Sequence, residues 1–209
     1  DTTEALVDLC LRSEHRMFYD AEIPPLNLAS SRVHTVNGQT YDLAVPDDRQ
    51  RMMDENLVYW IDEMRAAIRE IDPTALVTIS FPAVIGGPRL VRPQVAIEDS
   101  TADFVDPHIY LGLGTSLDYY LRSFGYDGDT ERPVILGKYG AHRRGFPSAE
   151  PAAAEALRDL QAATCALGFD GWLLWTFDAD EQIGLYNGLS DGGVIDRALA
   201  PMNRPDPCR

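Results

Sequence analysis

Five short apolar runs, separated by segments of helical periodicity, constrain the fold more than any other feature of the sequence. The runs are apolar on both faces instead of alternating, which is typical of parallel strands covered on both sides. The pattern predicts an α/β fold, either a (β/α) barrel or a doubly wound sheet. The runs are ALVDLCL (5–11), ALVTISF (75–81), DFVDPHIYL (103–111), PVILGKY (133–139) and GWLLWTF (171–177).

The segments between the runs predict helices. Over 50–71, apolar residues recur at spacings of three and four behind Asp47 or Asp48, so we expect an amphipathic helix with an aspartate cap. A second helix is expected from the Ser148 cap to Gly168, and shorter ones over 116–124 and 192–200. The apolar positions of the first helix are Met53, Leu57, Trp60, Ile61, Met64, Ile68 and Ile71.

The stretch RVHTVNGQTYDL (32–43) differs from the rest of the chain. Alternating residues flank Asn37-Gly38, a pair that predicts a hairpin with a type I′ turn. Because the hairpin follows the first apolar run, we expect it to lie at the end of the sheet where the strands exit.

Composition and charge restrict the classes of partner. The chain has 209 residues, of which 45% are hydrophobic and 24% charged, as expected for one globular domain. Its formal net charge of −15 argues against a nucleic-acid or anionic-membrane partner, because a polyanion would be repelled. A neutral substrate therefore fits better. No apolar run approaches the roughly 20 residues that a bilayer-spanning helix requires.

The termini and the cysteines restrict the location and the covalent structure of the chain only weakly. The chain begins at Asp1 without a methionine, so we expect a processed or partial product. The cellular location is not readable from this start, and a secreted or periplasmic location is favoured. The spacing of Cys10, Cys165 and Cys208 matches neither a metal site nor a disulfide framework. We expect two buried thiols, one free thiol, and a loosely held tail over 202–209.

Polar residues lie where the predicted strands end. In a (β/α) barrel these strand ends form the active site, so the side chains there are the candidates for function. They are Ser13, Glu14 and His15 after the first run, His108 and Tyr110 in the third, Lys138 and Tyr139 in the fourth, and Trp175, Asp178, Asp180 and Glu181 in or after the fifth.

Four of these segments resemble motifs of the cellulase-like TIM-barrel glycoside hydrolases of clan A, family five in particular. LRSEH resembles the strand-four Asn-Glu-Pro motif, DPHIY the strand-six His-x-Tyr, VILGKYG the strand-seven Gly-Glu-Phe-Gly, and GWLLWTFD the strand-eight tryptophan strand. The resemblance runs from about residue 5 to 201. It implies a (β/α)8 TIM barrel of which this chain carries about five βα units, corresponding to strands four to eight.

The resemblance also implies roles for individual residues. Glu14 would be the general acid/base that protonates the glycosidic oxygen. Tyr110 would donate a hydrogen bond to the nucleophile, His108 would contact the sugar, and Trp175 would stack beneath the ring. Lys138 would occupy the place of the nucleophile.

The sequence departs from the motifs at three positions. Ser13 replaces the asparagine that holds the sugar 2-hydroxyl, and a serine is short enough to need a bridging water. His15 replaces a proline, which changes the rigidity of the loop. Lys138 replaces the glutamate nucleophile, and this is the most serious change.

A lysine at the nucleophile position conflicts with the retaining mechanism. That mechanism needs two carboxyl groups about 5 Å apart. An ammonium cannot form the glycosyl ester, and it repels the positive charge that develops on the sugar. It would also hold the Glu14 carboxylate in its ionised form, as an ion pair, whereas a general acid must carry a proton.

The resulting hypothesis is a glycoside hydrolase-type domain for β-linked polysaccharide or oligosaccharide, with a retaining double-displacement mechanism impaired by Lys138. The alternatives are a carbohydrate-binding pseudoenzyme and a scaffold protein. An inverting reaction through Asp178, Asp180 or Glu181, and a Schiff base on Lys138, are less favoured. The hypothesis implies a carbohydrate ligand, no metal and no cofactor. It also implies that an N-terminal segment or a second chain completes the barrel, or that self-association covers the gap.

Overall fold

The computed structural model describes residues 32–82, 92–126, 131–178 and 183–200, together with Met202 and Cys208. The first predicted strand, over 5–11, lies outside these residues. The chain divides into two compact units, one formed by 1–77 and 84–102, the other by 78–83 and 103–209.

The described part of the first unit contains a hairpin and two helices. Strands β1 (Arg32–His34) and β2 (Thr40–Asp42) pair antiparallel. Helix α1 (Pro46–Ile71) follows directly, and α2 (Pro93–Asp99) comes later in the chain. A small core forms where the hairpin meets α1. It consists of Tyr41, Leu43 and Met52, with Val33 and Met53 packed against it.

The hairpin was predicted correctly, but its turn type was not. Gly38 has a left-handed backbone (φ 80°), whereas Asn37 does not, and a type I′ turn requires both. The Gly38 amide donates to the Thr35 carbonyl (3.0 Å), and the Asn37 side-chain oxygen accepts from the Thr35 hydroxyl (2.7 Å) and from the Gln39 amide (3.0 Å). The asparagine side chain therefore stabilises the loop without adopting the left-handed conformation itself.

Helix α1 covers the predicted segment and begins a few residues earlier. Its N-cap is Val45, with Pro46 in the first turn, so the predicted aspartate cap is wrong. Asp48 instead accepts a hydrogen bond from the Asp42 amide (3.0 Å). Of the predicted apolar face, Ile61 is buried, whereas Ile71 at the last turn is 89% exposed.

An ion pair between a buried carboxylate and an exposed arginine holds α1 to the start of α2. The Asp54 carboxylate is buried in α1 and accepts hydrogen bonds from Arg92 Nε (2.8 Å) and from Arg92 Nη2. Gln50 Nε2 donates to the same carboxylate (3.1 Å). These donors compensate for the desolvation of the charge.

The second unit contains a five-stranded sheet, which establishes an α/β fold with a parallel sheet. Strands β3 (Ser80–Pro82), β4 (Asp106–Leu111), β5 (Ile135–His142) and β6 (Gly171–Leu174) are parallel and lie in that order. The short β7 (Leu185–Tyr186) pairs antiparallel with the end of β5. This extra pairing explains why β5 continues to His142, beyond the predicted end at 139. Strand β3 is shorter than its apolar run.

The helices of this unit confirm most of the predicted boundaries. Helix α3 (Leu117–Phe124) is capped by the Ser116 side chain and ends at Gly125, which is left-handed. A π-helical segment (Ala149–Ala153) leads into α4 (Ala154–Cys165). Helix α5 (Ser190–Leu199) contains left-handed residues at 191–193, so its regular part begins only afterwards.

One face of the sheet packs against helix α4. Tyr139 in β5 accepts a hydrogen bond from Gln161 (2.7 Å), and Trp172 in β6 donates to the Thr164 hydroxyl (2.8 Å). Leu157 in the same helix is completely buried. We call this the helix face of the sheet.

A disulfide joins Cys165, the last residue of α4, to Cys208 near the C-terminus, with Cα atoms 5.5 Å apart. The expectation of a buried thiol at 165 and a free thiol at 208 is therefore wrong. The two cysteines are 43 residues apart in sequence, and nothing in their local spacing indicates the pair. Cys10 lies outside the described residues. None of the described helices is long and apolar enough to span a membrane.

Candidate functional site

Strand β4 presents its polar residues on the face of the sheet opposite to the helices. Ile109 is fully buried, and along a strand Asp106, His108 and Tyr110 point to the other side. In register, His108 pairs with Lys138, and Tyr110 with Gly140, both of β5. We call this second side the site face.

One extra residue in β5 brings Lys138 to the site face. Val105 pairs with Val134 at the start of the two strands, whereas His108 pairs with Lys138, so the register shifts by one residue between them. The pairing of β5 with β6 is also irregular over 136–139. Such a bulge places two successive residues on one side of a strand. Here Gly137 and Lys138 share the site face.

The bulge is packed against the Asp106 carboxylate. The Gly137 amide donates to Asp106 Oδ1 (2.9 Å), and the Ser80 hydroxyl donates to Oδ2. A Cβ atom at position 137 would lie 2.1 Å from Oδ1, so only glycine fits there. Asp106 is largely buried, and these donors satisfy the carboxylate and fix its position.

Lys138 and Trp175 are in direct contact. The Lys138 ammonium lies 4.5 Å from the centre of the Trp175 indole, a cation–π geometry. The Trp175 amide donates to the Tyr139 carbonyl (2.8 Å), which holds the residue beside β5 although β6 ends at Leu174. The peptide bond from Trp175 to Thr176 is cis.

Tyr110 and His142 extend this site toward the exits of the strands. Their ring centres are 5.8 Å apart with a tilt of 54°. The ring of Tyr110 covers Gly140, where an added Cβ would lie 3.3 Å from Tyr110 Cδ1 and 2.7 Å from the Trp175 carbonyl oxygen. Burial lowers the pKa of His142 below its usual value, because desolvation disfavours the charged imidazole.

Two glycines bring the loops that follow β4 and β5 into contact. A Cβ atom on Gly145 would lie 2.1 Å from the Gly112 Cα, so the backbones touch there. Gly112 also has a left-handed backbone, with φ of 95°. Beyond this contact, Arg143 lies over the Tyr186 ring (4.6 Å) and donates to the Leu185 carbonyl (2.9 Å), which ties the β5 loop to β7.

The structure thus brings four of the six predicted site residues together. His108, Tyr110 and Lys138 lie on adjacent strands, with Trp175 against Lys138. Ser13 and Glu14 lie outside the described residues, as do His15, Asp180 and Glu181, so the predicted ion pair between Glu14 and Lys138 stays a prediction. Asp178 is described and is exposed.

Several residues of the site escaped the sequence analysis. His142 lies beyond the predicted end of the strand at 139, whereas it belongs to β5. Asp106 was not considered, although an aspartate inside an apolar run is a signal of a buried polar contact. The composition contains a further signal, because Lys138 is the only lysine among the 18 lysine and arginine residues of the chain.

The described residues define a parallel α/β sheet with an indole, a phenol, two imidazoles and an ammonium on the site face. Such a surface offers aromatic stacking and hydrogen bonds to a hydroxyl-rich ligand. No protein family matches the chain, and no curated protein matches it.

Two solved structures resemble it, both of an endo-β-1,4-mannanase from Thermotoga petrophila. The first has 20% identity and a TM-score of 0.45, and covers 75% of this chain and 42% of its own. The second, solved with maltose and glycerol, has 20% identity and a TM-score of 0.44, and covers 69% of this chain and 50% of its own. The chain therefore spans half or less of these proteins. Scores of this size do not establish a common fold, so the barrel stays a prediction.

Proposed function

We propose that the chain is part of a glycoside hydrolase-type (β/α)8 barrel that binds a β-linked saccharide on the site face. The contact of Lys138 with Trp175 carries the proposal, because two of the four motif segments meet there. His108 and Tyr110, from a third segment, lie on the neighbouring strand at the matching register. Trp175 would stack against the sugar ring, and Tyr110 would donate a hydrogen bond to one of its hydroxyl groups, whereas His108 is 2% exposed and would support the site from beneath.

The same geometry argues against efficient retaining hydrolysis. A nucleophilic carboxylate would have to stand where Lys138 stands. Among the described residues of strands β3 to β6, Asp106 supplies the one carboxylate of the site face, and Ser80 and Gly137 both donate to it. Asp106 is also largely buried, which leaves it poorly placed to attack a sugar. Binding without double displacement is therefore the function that we propose, with Glu14 and Ser13 as further contacts.

The site face needs a cover to complete the fold. Leu173 of β6 alternates with the helix-facing Trp172 and is 61% exposed, and the nearby Phe177 is 58% exposed. Parallel sheets are normally covered on both sides. We propose that an N-terminal segment or a second chain supplies the missing βα units and part of the saccharide site.

Binding and turnover can be measured separately. We expect isothermal titration calorimetry with β-1,4-linked mannose and glucose oligosaccharides to detect binding. Aryl β-glycosides are expected to show little hydrolysis. Trp175→Ala should abolish binding. Trp172→Phe, which changes a tryptophan on the helix face, is the matched control and should bind normally. Absence of binding to every oligosaccharide tested would contradict the proposal.

One further substitution distinguishes the hydrolase hypothesis from the pseudoenzyme hypothesis. Lys138→Glu restores the second carboxyl group that the retaining mechanism requires. If the remaining machinery is intact, this variant should hydrolyse aryl β-glycosides, with the wild type as the baseline. If Lys138→Glu folds and binds but remains inactive, the chain is a binding protein whose catalytic machinery is lost beyond this position.

The disulfide favours an oxidising compartment. Disulfides persist in secreted and periplasmic proteins and are rare where thiols are kept reduced. The bond between Cys165 and Cys208 therefore supports the secreted or periplasmic location proposed for this chain. Peptide mapping without reductant, on protein isolated from each compartment of an expressing cell, tests the inference.

A further inference from the structure

The charges on the site face indicate which class of saccharide would bind. The described site face carries the Lys138 ammonium and the imidazoles of His108 and His142. Its carboxylate, Asp106, already accepts hydrogen bonds from Ser80 and Gly137. This part of the site face offers hydrogen-bond donors and the positive charge of the Lys138 ammonium, although the formal net charge of the chain is −15.

We infer that the ligand is an acidic saccharide, in which a β-linked uronate presents its carboxylate to the ammonium of Lys138. This inference rests on the proposed function, because it specifies the substrate class of the same site. A neutral sugar would offer the ammonium only hydroxyl groups. A carboxylate accepts charge-assisted hydrogen bonds, which are about twice as strong as neutral ones.

The contact with Trp175 is compatible with this role. An ammonium has three N–H donors, so Lys138 can receive a carboxylate while keeping its other contacts. The indole lies 4.5 Å from the ammonium, close enough for one sugar residue to pack on the ring and place its C6 carboxylate at the cation. Tyr110, which pairs in register with Gly140, provides a hydroxyl on the neighbouring strand.

A matched pair of ligands tests the inference. One is a β-1,4-linked disaccharide, and the other is the same disaccharide with its terminal C6 hydroxymethyl group oxidised to a carboxylate. We expect the wild type to bind the acidic disaccharide at least about tenfold more tightly in calorimetry, because hydrogen bonds to charged groups are stronger than those to neutral groups. Equal affinities, or a preference for the neutral sugar, would overturn the inference while leaving the proposed function intact.

Variants at position 138 assign the preference to its ammonium. Lys138→Met keeps a similar side-chain length without the charge and should bind both disaccharides equally. Lys138→Arg keeps the charge and should retain part of the preference. Arg122→Met is the control for net charge, because Arg122 is an exposed cation of α3 paired with Asp118. A preference that survives in Lys138→Met would show that another group receives the carboxylate.

The single lysine allows a direct spectroscopic measurement. Reductive ¹³C-methylation modifies the ε-amine of Lys138 and the α-amino group, and it preserves both charges. We expect the acidic disaccharide to shift the Lys138 methyl resonance more than the neutral one. The methylated Lys138→Arg variant lacks the Lys138 methyl resonance, and its absence identifies that resonance in the wild-type spectrum. If neither disaccharide binds by calorimetry, the proposed function fails together with this inference.

Discussion

The packing of Gly137 against Asp106 leads to a quantitative prediction for Gly137→Ala. The new methyl group would lie 2.1 Å from Asp106 Oδ1 and 2.6 Å from Cγ, far inside van der Waals contact. The carboxylate must therefore move away or β5 must shift. Either response breaks the hydrogen bond from the Gly137 amide to Oδ1, which is 2.9 Å long.

The expected cost combines two terms. Forcing a methyl group into a packed site costs about 1–3 kcal/mol. Leaving a buried polar group without its partner costs about 1–3 kcal/mol more, and a carboxylate is at the upper end. We therefore expect Gly137→Ala to lower the free energy of unfolding of the second unit by about 2–6 kcal/mol. Because Lys138 follows directly, saccharide affinity should fall as well.

Gly171→Ala in β6 is the matched control. Its nearest atom is Ile135 Cγ2 at 3.8 Å, an ordinary contact. Alanine is favoured over glycine in a strand by about 0.5–1 kcal/mol, so this variant should be neutral or slightly more stable. The two substitutions therefore have opposite expected signs.

The assay is urea unfolding followed by tryptophan fluorescence. Carrying both variants in a Trp60→Phe background leaves Trp172 and Trp175 as reporters of the second unit. Adding Asp106→Ala to Gly137→Ala removes the clash, so the double variant should recover part of the loss through a measurable coupling energy. If Gly137→Ala unfolds within about 1 kcal/mol of Gly171→Ala, the carboxylate does not pack against the bulge as described.

Three further predictions concern the disulfide, the partly buried His142 and the ion pair. Cys165→Ser should destabilise the second unit by up to about 4 kcal/mol, the chain-entropy value for a loop of this size, and reduction of the wild type should have the same effect in urea unfolding. Burial lowers the pKa of His142, so the folded state binds this proton less tightly than the unfolded state. Stability should therefore fall as pH drops through the usual histidine range near about 6.5 toward 5, and His142→Asn should reduce that fall when urea midpoints at the two pH values are compared. Arg92→Met should cost about 2 kcal/mol because it leaves the Asp54 carboxylate buried without its main donor. Asp54→Asn, which removes the charge, should cost less when urea unfolding is followed in a chain that retains Trp60.

Local features of the sequence predicted much of the second unit. The apolar runs located the parallel strands of residues 106–111 and 135–142, because strands of a covered parallel sheet lack polar alternation. Ser116 and Gly168 marked helix boundaries, since capping chemistry involves only neighbouring residues. The Gly168 backbone is left-handed, with φ of 86°, as expected at such a position.

The features that the sequence did not predict depend on distant residues. Strand β5 reaches His142 because β7, more than 40 residues later in the chain, pairs with its end. Cys165 pairs with Cys208 only because the tail returns to the end of α4. Asn37-Gly38 was assigned the wrong turn because the Asn37 side chain accepts hydrogen bonds that no dipeptide rule includes.

The backbone, more than the side chain, determines the position of Lys138. The extra residue in β5, the glycine required beside Asp106 and the glycine beneath Tyr110 together determine where residue 138 lies. None of these depends on which side chain occupies that position. The side chain at position 138 therefore sets the charge of the site face without setting its shape. Since an ammonium attracts carboxylates and cannot attack a sugar as a carboxylate does, a lysine at this position would favour binding of an acidic ligand over turnover.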